Sequence, residues 1–191
     1  MDIEKHPFEP FLPPGARILF LGSFPPPERR WCMPFYYPNW INDFWRIMGL
    51  LFFEDKDHFC RPAEKRFDEA EIRLFCELEG LAFYDTACEV RRLRDNASDA
   101  FLEVVKPTNI PDLLHNIPLC NNLVTTGEKA TSVISKTFDC PIPPVGGSVP
   151  LEIPGQGPIR FWRMPSTSRA YPLPLHQKAE FYRRLFDSLR R

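Results

Sequence analysis

The chain has 191 residues, of which 43% are hydrophobic and 26% are charged, a composition typical of one globular domain that excludes a wholly disordered or collagen-like protein. Its net charge is −1, so a contact with nucleic acid would need a local basic patch, because no positive field covers the whole molecule. No apolar stretch approaches the roughly 20 residues that a membrane helix needs, which excludes a polytopic membrane protein.

The apolar residues of the first half predict two strands and two helices. Residues 16–21 read as a buried strand that ends at Gly22. Apolar residues at spacings of three and four predict a helix over 41–53, and a charged helix is expected from 62 to about 78. The next strand is predicted at 81–84.

The second half continues the alternation. A short β-rich run at 122–126 is followed by a helix at 128–137. Residues 140–158 are too rich in proline and glycine for regular structure, apart from a brief edge strand. A fourth strand is predicted at 159–164, and the final helix, 175–189, carries its apolar residues along one face.

No internal repeat or long linker interrupts this pattern, so we predict a single domain over 1–191 with its core at about 16–189. Alternating strands and helices favour an α/β fold with a mainly parallel sheet, in which ligands bind beyond the carboxyl ends of the strands. The segments after the four predicted strands hold small, hydroxyl-bearing or acidic residues: Gly22-Ser23-Phe24-Pro25, Asp85-Thr86, Gly127-Glu128 and Ser166-Thr167-Ser168. The pattern predicts a site at one rim of the sheet, and that site would fit a nucleotide, a small acid or a base.

The N-terminal sequence MDIEKHPFEP has no basic region followed by an apolar one, so we expect an intracellular, cytoplasmic protein. In that compartment the six cysteines are expected to be reduced. No Cys-x-x-Cys pair marks a zinc or iron–sulfur site, and His58 and Cys60 lack further ligands nearby. We therefore predict free thiols and no metal ion.

Four ordered segments resemble motifs of the uracil-DNA glycosylase superfamily, and the hypoxanthine-DNA glycosylase branch most closely. The first is Gly22-Ser23-Phe24-Pro25 with the stretch YYPNWINDFW at 36–45, and the others lie at 80–85, 126–130 and 165–168. The resemblance implies an α/β fold of the three-layer α/β/α sandwich type, with a mainly parallel four-stranded central sheet. It also implies an enzyme of base excision repair that flips a deaminated base, hypoxanthine or uracil, out of DNA and hydrolyses its N-glycosidic bond without a metal or cofactor.

Three positions depart from the family patterns. Phe24 stands where uracil-specific members usually carry Asp or Asn, so the usual water-activating group is missing. Met164 stands where a histidine often precedes the proline–serine pair, and Arg169 stands where the hypoxanthine-type branch commonly has proline. These differences favour a hypoxanthine-like enzyme or an inactive relative over a fast uracil enzyme.

Breaking a bond between deoxyribose and a base builds positive charge on the sugar and negative charge on the base, so the site needs a positioned water and donors to the base. Asn42 is our candidate for the catalytic residue that positions water, because its amide oxygen accepts a hydrogen bond. A neutral amide is too weak a base to remove a proton early, so such a site depends on a loose transition state. The alternative is that Asn42 fixes the loop before the helix.

The base-binding candidates are Ser23, Phe24, Tyr37 and Asp85. Phe24 can stack on a flipped base, a contact worth ~1–3 kcal/mol. Asp85 accepts from ring N–H groups when ionised and donates when neutral, and Ser23 can donate to a base carbonyl. The alternatives are a capping role for Asp85, a turn role for Ser23 and a core role for Phe24 or Tyr37.

The candidates for DNA binding are Ser166, Thr167, Ser168 and Arg169, which offer three successive hydroxyls and a cation to a phosphate, or otherwise form a hydroxyl-rich turn. Further arginines could hold phosphates at the rim or form solvated faces; these are Arg29, Arg30, Arg91, Arg92 and Arg94. Neutralising about four phosphates would make the logarithm of the binding constant fall with log salt at a slope of roughly −3 to −4.

The predicted partner is therefore DNA that contains a deaminated base, bound by a monomer that makes no membrane contact. A second hypothesis is a catalytically silent module on the same fold that binds damaged DNA or a nucleotide. A third is a serine hydrolase that uses Ser23 or Ser166, although neither lies in a G-x-S-x-G elbow.

Overall fold

The computed structural model describes residues 2–94 and 99–190. The strands, in chain order, are β1 (Ile3–Lys5), β2 (Ile18–Gly22), β3 (Cys60–Arg61), β4 (Arg66–Phe67), β5 (Leu81–Asp85), β6 (Ala87–Arg92), β7 (Leu102–Pro107), β8 (Asn122–Thr126), β9 (Ser148–Leu151) and β10 (Ile159–Met164). The helices are α1 (Phe44–Phe53), α2 (Glu69–Glu79), α3 (Ile110–His115), α4 (Glu128–Thr137) and α5 (Leu175–Leu189).

Within the described ranges, the central sheet has five strands in the order β5–β2–β8–β10–β9. The first four are parallel to their neighbours, and β9 pairs antiparallel with β10. The predicted α/β class and mainly parallel sheet are confirmed, but the expected number of four strands is wrong. The additional strand, β9, lies at the sheet edge, where Pro150 is tolerated because only one side of an edge strand needs hydrogen bonds.

Both faces of the central sheet are buried because successive strand residues point to opposite sides. On β2, Phe20 packs in a cluster with apolar residues of α1, α2 and α5. Its neighbours Leu19 and Leu21 belong to a second cluster, which contains apolar residues of α3 and α4. Helices therefore cover both faces of the sheet.

A second, antiparallel sheet has the strand order β1–β6–β7. It was not predicted, because its strands are short and carry charged, half-exposed residues. The pairs Ile3↔Arg91 and Lys5↔Glu89 hold the N-terminal segment against β6. The next backbone N–H, that of His6, donates to the carbonyl of Cys88 at 2.9 Å, which brings His6 close to the end of β5.

The first two helices begin later than the sequence predicts. The side-chain oxygen of Asn42 accepts the N–H of Phe44 at 2.9 Å, so α1 begins at Phe44. Asp68 caps α2 by accepting the N–H of Glu71 at 3.1 Å, and the residues before it form the short β3–β4 hairpin. The short helix α3 was not predicted.

All six cysteines lie in the described residues, and each is a free thiol. His58 stacks on Phe53 with ring centroids 3.6 Å apart and contacts Glu71 at 3.0 Å. In the described part of the chain, no group of three or more His, Cys, Asp or Glu side chains is arranged to hold a metal ion. None of the helices in that part is long and apolar enough to cross a membrane.

Candidate functional site

A cavity of about 650 Å³ lies at the carboxyl ends of the parallel strands β5, β2, β8 and β10. It is lined by all nine of the site residues predicted from the sequence: Ser23, Phe24, Tyr37, Asn42, Asp85, Ser166, Thr167, Ser168 and Arg169. The carboxyl ends of parallel strands lie at one edge of a sheet, so segments far apart in the sequence meet there. The roles of these residues remain predictions.

Asn42 lies between the loop after Tyr37 and the first turn of α1. Its Oδ1 accepts from the N–H of Phe44, and its backbone carbonyl accepts from Nη1 of Arg46 at 3.1 Å. The loop-fixing role that was the alternative for Asn42 is therefore present. The same bond fixes the side chain in one orientation and leaves one lone pair of Oδ1 and both amide hydrogens for a water or substrate.

A buried ion pair joins the start of α1 to the loop 166–169. Asp43 accepts from Nζ of Lys178 at 2.9 Å, and the Lys178 side chain is only 1% exposed. The same ammonium donates to the carbonyl of Ser168 at 2.8 Å, and the N–H of Asp43 donates to the carbonyl of Thr167 at 2.9 Å. The position of Asn42 is thus linked to that of the loop.

The hydroxyls of the loop 166–169 brace its own backbone. Ser166 Oγ accepts from the N–H of Ser168, and Ser168 Oγ accepts from the N–H of Ala170, both at 3.2 Å. Each hydroxyl keeps its own hydrogen to donate, which is what a phosphate oxygen requires. Thr167 is 2% exposed and forms part of the wall. Arg169 pairs with Asp43 at 3.2 Å, but half of its side chain is exposed.

Tyr37 has a backbone φ of +52°, a left-handed conformation that is rare for a large side chain and costs about 1–3 kcal/mol. Its ring stacks on Phe44 with centroids 3.9 Å apart and planes 3° from parallel. Its hydroxyl lies 2.9 Å from Oγ1 of Thr126. Burial raises the pKa of the phenol well above its usual value, so Tyr37 is a neutral hydrogen-bonding group. Because Phe44 covers one face, a base would meet the opposite face or the edge of the ring.

Asp85 ends β5 and is 7% exposed. Its Oδ2 lies 2.8 Å from Nε2 of His6. In the described residues its carboxylate caps neither a helix nor a loop, which were the alternatives considered from the sequence. A Cβ added at Gly22 would lie 2.5 Å from Oδ1 of Asp85, so the carboxylate occupies space that only glycine leaves open.

Ser23 and Phe24 line the cavity beside Asp85. Ser23 Oγ donates to Oδ1 of Asp99 at 2.6 Å, so its hydroxyl oxygen is left to accept. Phe24 is half-buried, lies edge-on to His6 with centroids 5.3 Å apart, and also packs against the apolar core of the second sheet. Phe24 therefore combines a core contact with a place in the cavity wall.

Several residues around the cavity were missed by the sequence reasoning. His6 and Asp99 do not follow any of the four strands predicted from the sequence, so the expectation of a site at the strand ends did not include them. In addition, no sequence signal links His6 to an aspartate 79 residues later. Lys178 did leave a signal, because it is a charged residue within the apolar face of α5, three residues after Leu175 and four before Tyr182.

The arginines expected at the rim divide into two groups. Arg30 lines the cavity. Arg91 pairs with Glu103 at 2.8 Å, Arg92 pairs with Glu4 at 3.0 Å, and Arg94 stacks on the ring of Phe101 at 4.0 Å. This second group stabilises the antiparallel sheet and its surroundings, and does not line the cavity.

No family model and no curated protein matches the chain. Among solved structures, the chain is similar to the solution NMR structure of a candidate uracil DNA glycosylase from Methanosarcina acetivorans, with a TM-score of 0.63 and 19% sequence identity over the full length of both chains. At this identity the likeness concerns the fold. The chain therefore has a mixed α/β fold like that of this candidate uracil DNA glycosylase.

Proposed function

We propose that the chain is a monofunctional DNA glycosylase of base excision repair, acting inside the cell on a deaminated base flipped out of DNA. The observation that carries the proposal is the meeting of nine separately predicted residues, from four segments, around one cavity. A volume of about 650 Å³ falls within the range of ~300–1,000 Å³ usual for small-molecule sites. The fold shared with a candidate glycosylase supports the same reading.

In the proposed reaction, a water oxygen bonds to C1′ of the deoxyribose while the C1′–N bond breaks. The electron pair of that bond leaves with the base, and the proton released by water ends on the base, so the products are a free base and an abasic site. Asn42 orients the water through the open lone pair of Oδ1. The Asn42 amide is too weak a base to take a proton from the water early. The C1′–N bond therefore breaks largely before the water oxygen bonds to C1′.

Asp85 gives the site a preference among bases. Its Oδ1 has no hydrogen-bond partner among the described residues, and as a carboxylate oxygen it accepts from a ring N–H. Hypoxanthine and uracil carry such an N–H, whereas adenine and cytosine present a lone pair at the corresponding ring nitrogen. Deamination therefore replaces a ring lone pair, which the Asp85 carboxylate repels, with a ring N–H, which donates to it. We propose hypoxanthine as the first substrate to test, because the sequence resembles the hypoxanthine branch most closely.

Base release from duplexes containing inosine, deoxyuridine or xanthosine, followed by alkaline cleavage of the abasic site, tests the proposal. We expect wild-type protein to release at least one of these bases and Asn42→Ala to slow release by about 10²-fold or more. Asn42→Ser is the matched control, because serine can still cap Phe44 but has no carboxamide. Equal activity of Asn42→Ser and wild type would contradict the catalytic role of Asn42.

The silent binding module remains the second candidate, because one lone pair of the proposed water-positioning oxygen is already used by Phe44. Lesion-dependent binding with no base released from any of the duplexes would favour it. The serine-hydrolase hypothesis is not supported: in the described residues, Ser23 Oγ bonds to Asp99 and Ser166 Oγ to a backbone N–H, and neither contacts a histidine.

A further inference from the structure

A second cavity, of about 1050 Å³, lies at the edge of the central sheet opposite the candidate site. Residues at the amino ends of the parallel strands line it together with residues at the carboxyl ends of α1 and α5, among them Arg17, Phe52, Asn121, Arg160, Leu189 and Arg190. Because Arg17, Arg160 and Arg190 are exposed, the cavity is an open groove, which we call the amino-edge groove.

Backbone hydrogen bonds fix the spacing of two arginines at this edge. The N–H of Asn121 donates to the carbonyl of Arg17 at 3.4 Å, and the N–H of Arg160 donates to the carbonyl of Asn121 at 2.9 Å. The three residues therefore lie in a row, with Arg17 and Arg160 about 10 Å apart, which is twice the spacing of neighbouring strands. Residues three apart in an extended peptide have the same separation of about 10 Å, so one peptide can present a carboxylate to each arginine.

The three arginines of the amino-edge groove form no ion pair with the described residues. The guanidinium of Arg160 lies 5.7 Å from the centre of the Trp162 ring, and that of Arg190 lies 5.7 Å from the centre of the Phe52 ring. Contact with a ring face leaves the N–H groups at the guanidinium edge to donate to an anion. Glu79 is the single acidic residue in the described lining, so cations outnumber anions there although the chain has a net charge of −1.

Apolar side chains lie beside these cations. Phe186 and Leu189 line the amino-edge groove on α5, and Leu119 lines it with 58% of its surface exposed. Arginine and aromatic residues together are typical of surfaces that bind proteins. A phosphate backbone would use only the cations, whereas a peptide with acidic and apolar side chains would use both parts of the lining. The lining therefore favours a protein partner over a nucleic acid.

We propose that the amino-edge groove binds an acidic segment of another protein, whose carboxylates pair with Arg17, Arg160 and Arg190 and whose apolar side chains contact the apolar lining. The strand β2, which runs between the two edges of the sheet, has five residues. At about 3.3 Å per residue it separates the edges by roughly 17 Å. DNA held at the candidate site therefore leaves the amino-edge groove accessible, and the chain can hold DNA and the partner together.

A nitrogen-15 NMR titration of the full chain tests the proposal, with a peptide that repeats Glu-Phe-Gly three times as the probe. We expect the amide signals of 119–122, 159–160 and 186–190 to shift and those around the candidate site to stay unchanged. Two control peptides separate charge from apolar contact: one replaces each Glu by Gln, and the other replaces each Phe by Ala. Each control should bind at least about tenfold more weakly than the probe.

Charge reversal identifies the residues that bind the probe. Arg17→Glu and Arg160→Glu should each weaken binding at least about tenfold, because a carboxylate then faces a carboxylate. Arg184→Glu is the matched control: this arginine lies on α5 with 69% of its side chain exposed and does not line the groove, so the affinity should change by less than about twofold. Thermal denaturation verifies that the variants are folded, and Arg17→Gln and Arg160→Gln, which remove the charge without reversing it, replace any variant that is not.

Several results would overturn the proposal. These are absence of binding, shifts confined to amides outside the amino-edge groove, equal affinity for the Gln-containing peptide, and an equal loss of affinity in Arg184→Glu and Arg160→Glu. A DNA duplex or inorganic phosphate that shifts the groove amides at a lower concentration than the probe would identify a phosphate site instead. Base release by Arg17→Glu and Arg160→Glu should equal that of the wild type, so the proposed glycosylase function is tested separately and its failure leaves these results unaffected.

Discussion

Gly22 shows how one residue determines the place of the base-binding carboxylate. A Cβ at this position would lie 2.5 Å from Oδ1 of Asp85, closer than carbon and oxygen atoms approach, so Gly22→Ala must displace the carboxylate. We expect Gly22→Ala to slow base release by about 10²-fold, the effect of displacing a reacting or binding group by about 1 Å. Single-turnover kinetics on the inosine duplex measures this.

The matched control is Gly15→Ala, because a Cβ at Gly15 would have no atom within 4 Å. This variant should release base at the wild-type rate. If Gly22→Ala were equally active, Asp85 would not contact the base.

Tyr37 is held in its strained conformation by contacts of its ring and its hydroxyl. Tyr37→Phe keeps the stack on Phe44 and removes the bond to Thr126, so we expect the free energy of unfolding to fall by about 1 kcal/mol. Urea denaturation measures the change. The double variant Tyr37→Phe/Thr126→Val should lose less than the sum of the two single losses, because both remove the same bond. Additive losses would mean that the hydroxyl contact contributes nothing to stability.

At the scale of elements, the Asp43–Lys178 pair connects α1, α5 and the loop 166–169. Lys178→Met leaves the carboxylate of Asp43 buried with Arg169 as its remaining charged partner, and we expect a loss of roughly 3 kcal/mol in the free energy of unfolding. The double variant Asp43→Asn/Lys178→Met should regain most of that stability, because no buried charge is left unpaired.

Urea denaturation of these variants provides the measurement, with Lys136→Met as the exposed control, which should change stability by less than about 0.5 kcal/mol. We also expect the double variant to bind DNA more weakly than wild type, because the carbonyl of Ser168 loses its donor and the loop is less constrained. A double variant as unstable as Lys178→Met would show that the ammonium acts through packing and not through charge.

Elements with a strong repeating pattern were predictable from the sequence. The strands at 122–126 and 159–164 and the helices at 128–137 and 175–189 have the bounds that the apolar pattern predicts, because each buries a continuous face. The strands β1, β6 and β7 were not predictable in this way. The partner of β1 is β6, far away in the sequence, and the exposed faces of β6 and β7 carry charges that hide the alternation.

The location of the candidate site was predictable from the sequence, because in this type of fold the carboxyl ends of the parallel strands meet at one edge of the sheet. Its finer chemistry was not predictable, because it depends on side chains brought in by the second sheet. His6 reaches Asp85 only since β1 pairs with β6, and Phe24 contacts that sheet's core as well as the cavity.

At the scale of the whole molecule, a net charge of −1 means that DNA binding depends on few cations. Arg91 and Arg92 do not line the cavity of the described residues, whereas Arg30 and Arg169 do. Arg169 also pairs with Asp43, but half of its side chain is exposed, so we count both Arg30 and Arg169 as available to phosphates. With about two phosphates neutralised, the logarithm of the binding constant should fall with log salt at a slope of about −2. This slope is shallower than the −3 to −4 that the sequence predicts for about four neutralised phosphates.

Fluorescence anisotropy with a duplex carrying a non-cleavable abasic-site analogue measures this slope. Arg30→Gln and Arg169→Gln should each reduce its magnitude by about 1, because each removes one phosphate contact. Arg91→Gln, which breaks an exposed pair away from the cavity, should leave it unchanged. A slope near −4 that falls in Arg91→Gln but not in Arg30→Gln would place the DNA on the antiparallel sheet, away from Asn42, and the cavity would then not be the site at which a flipped base is held.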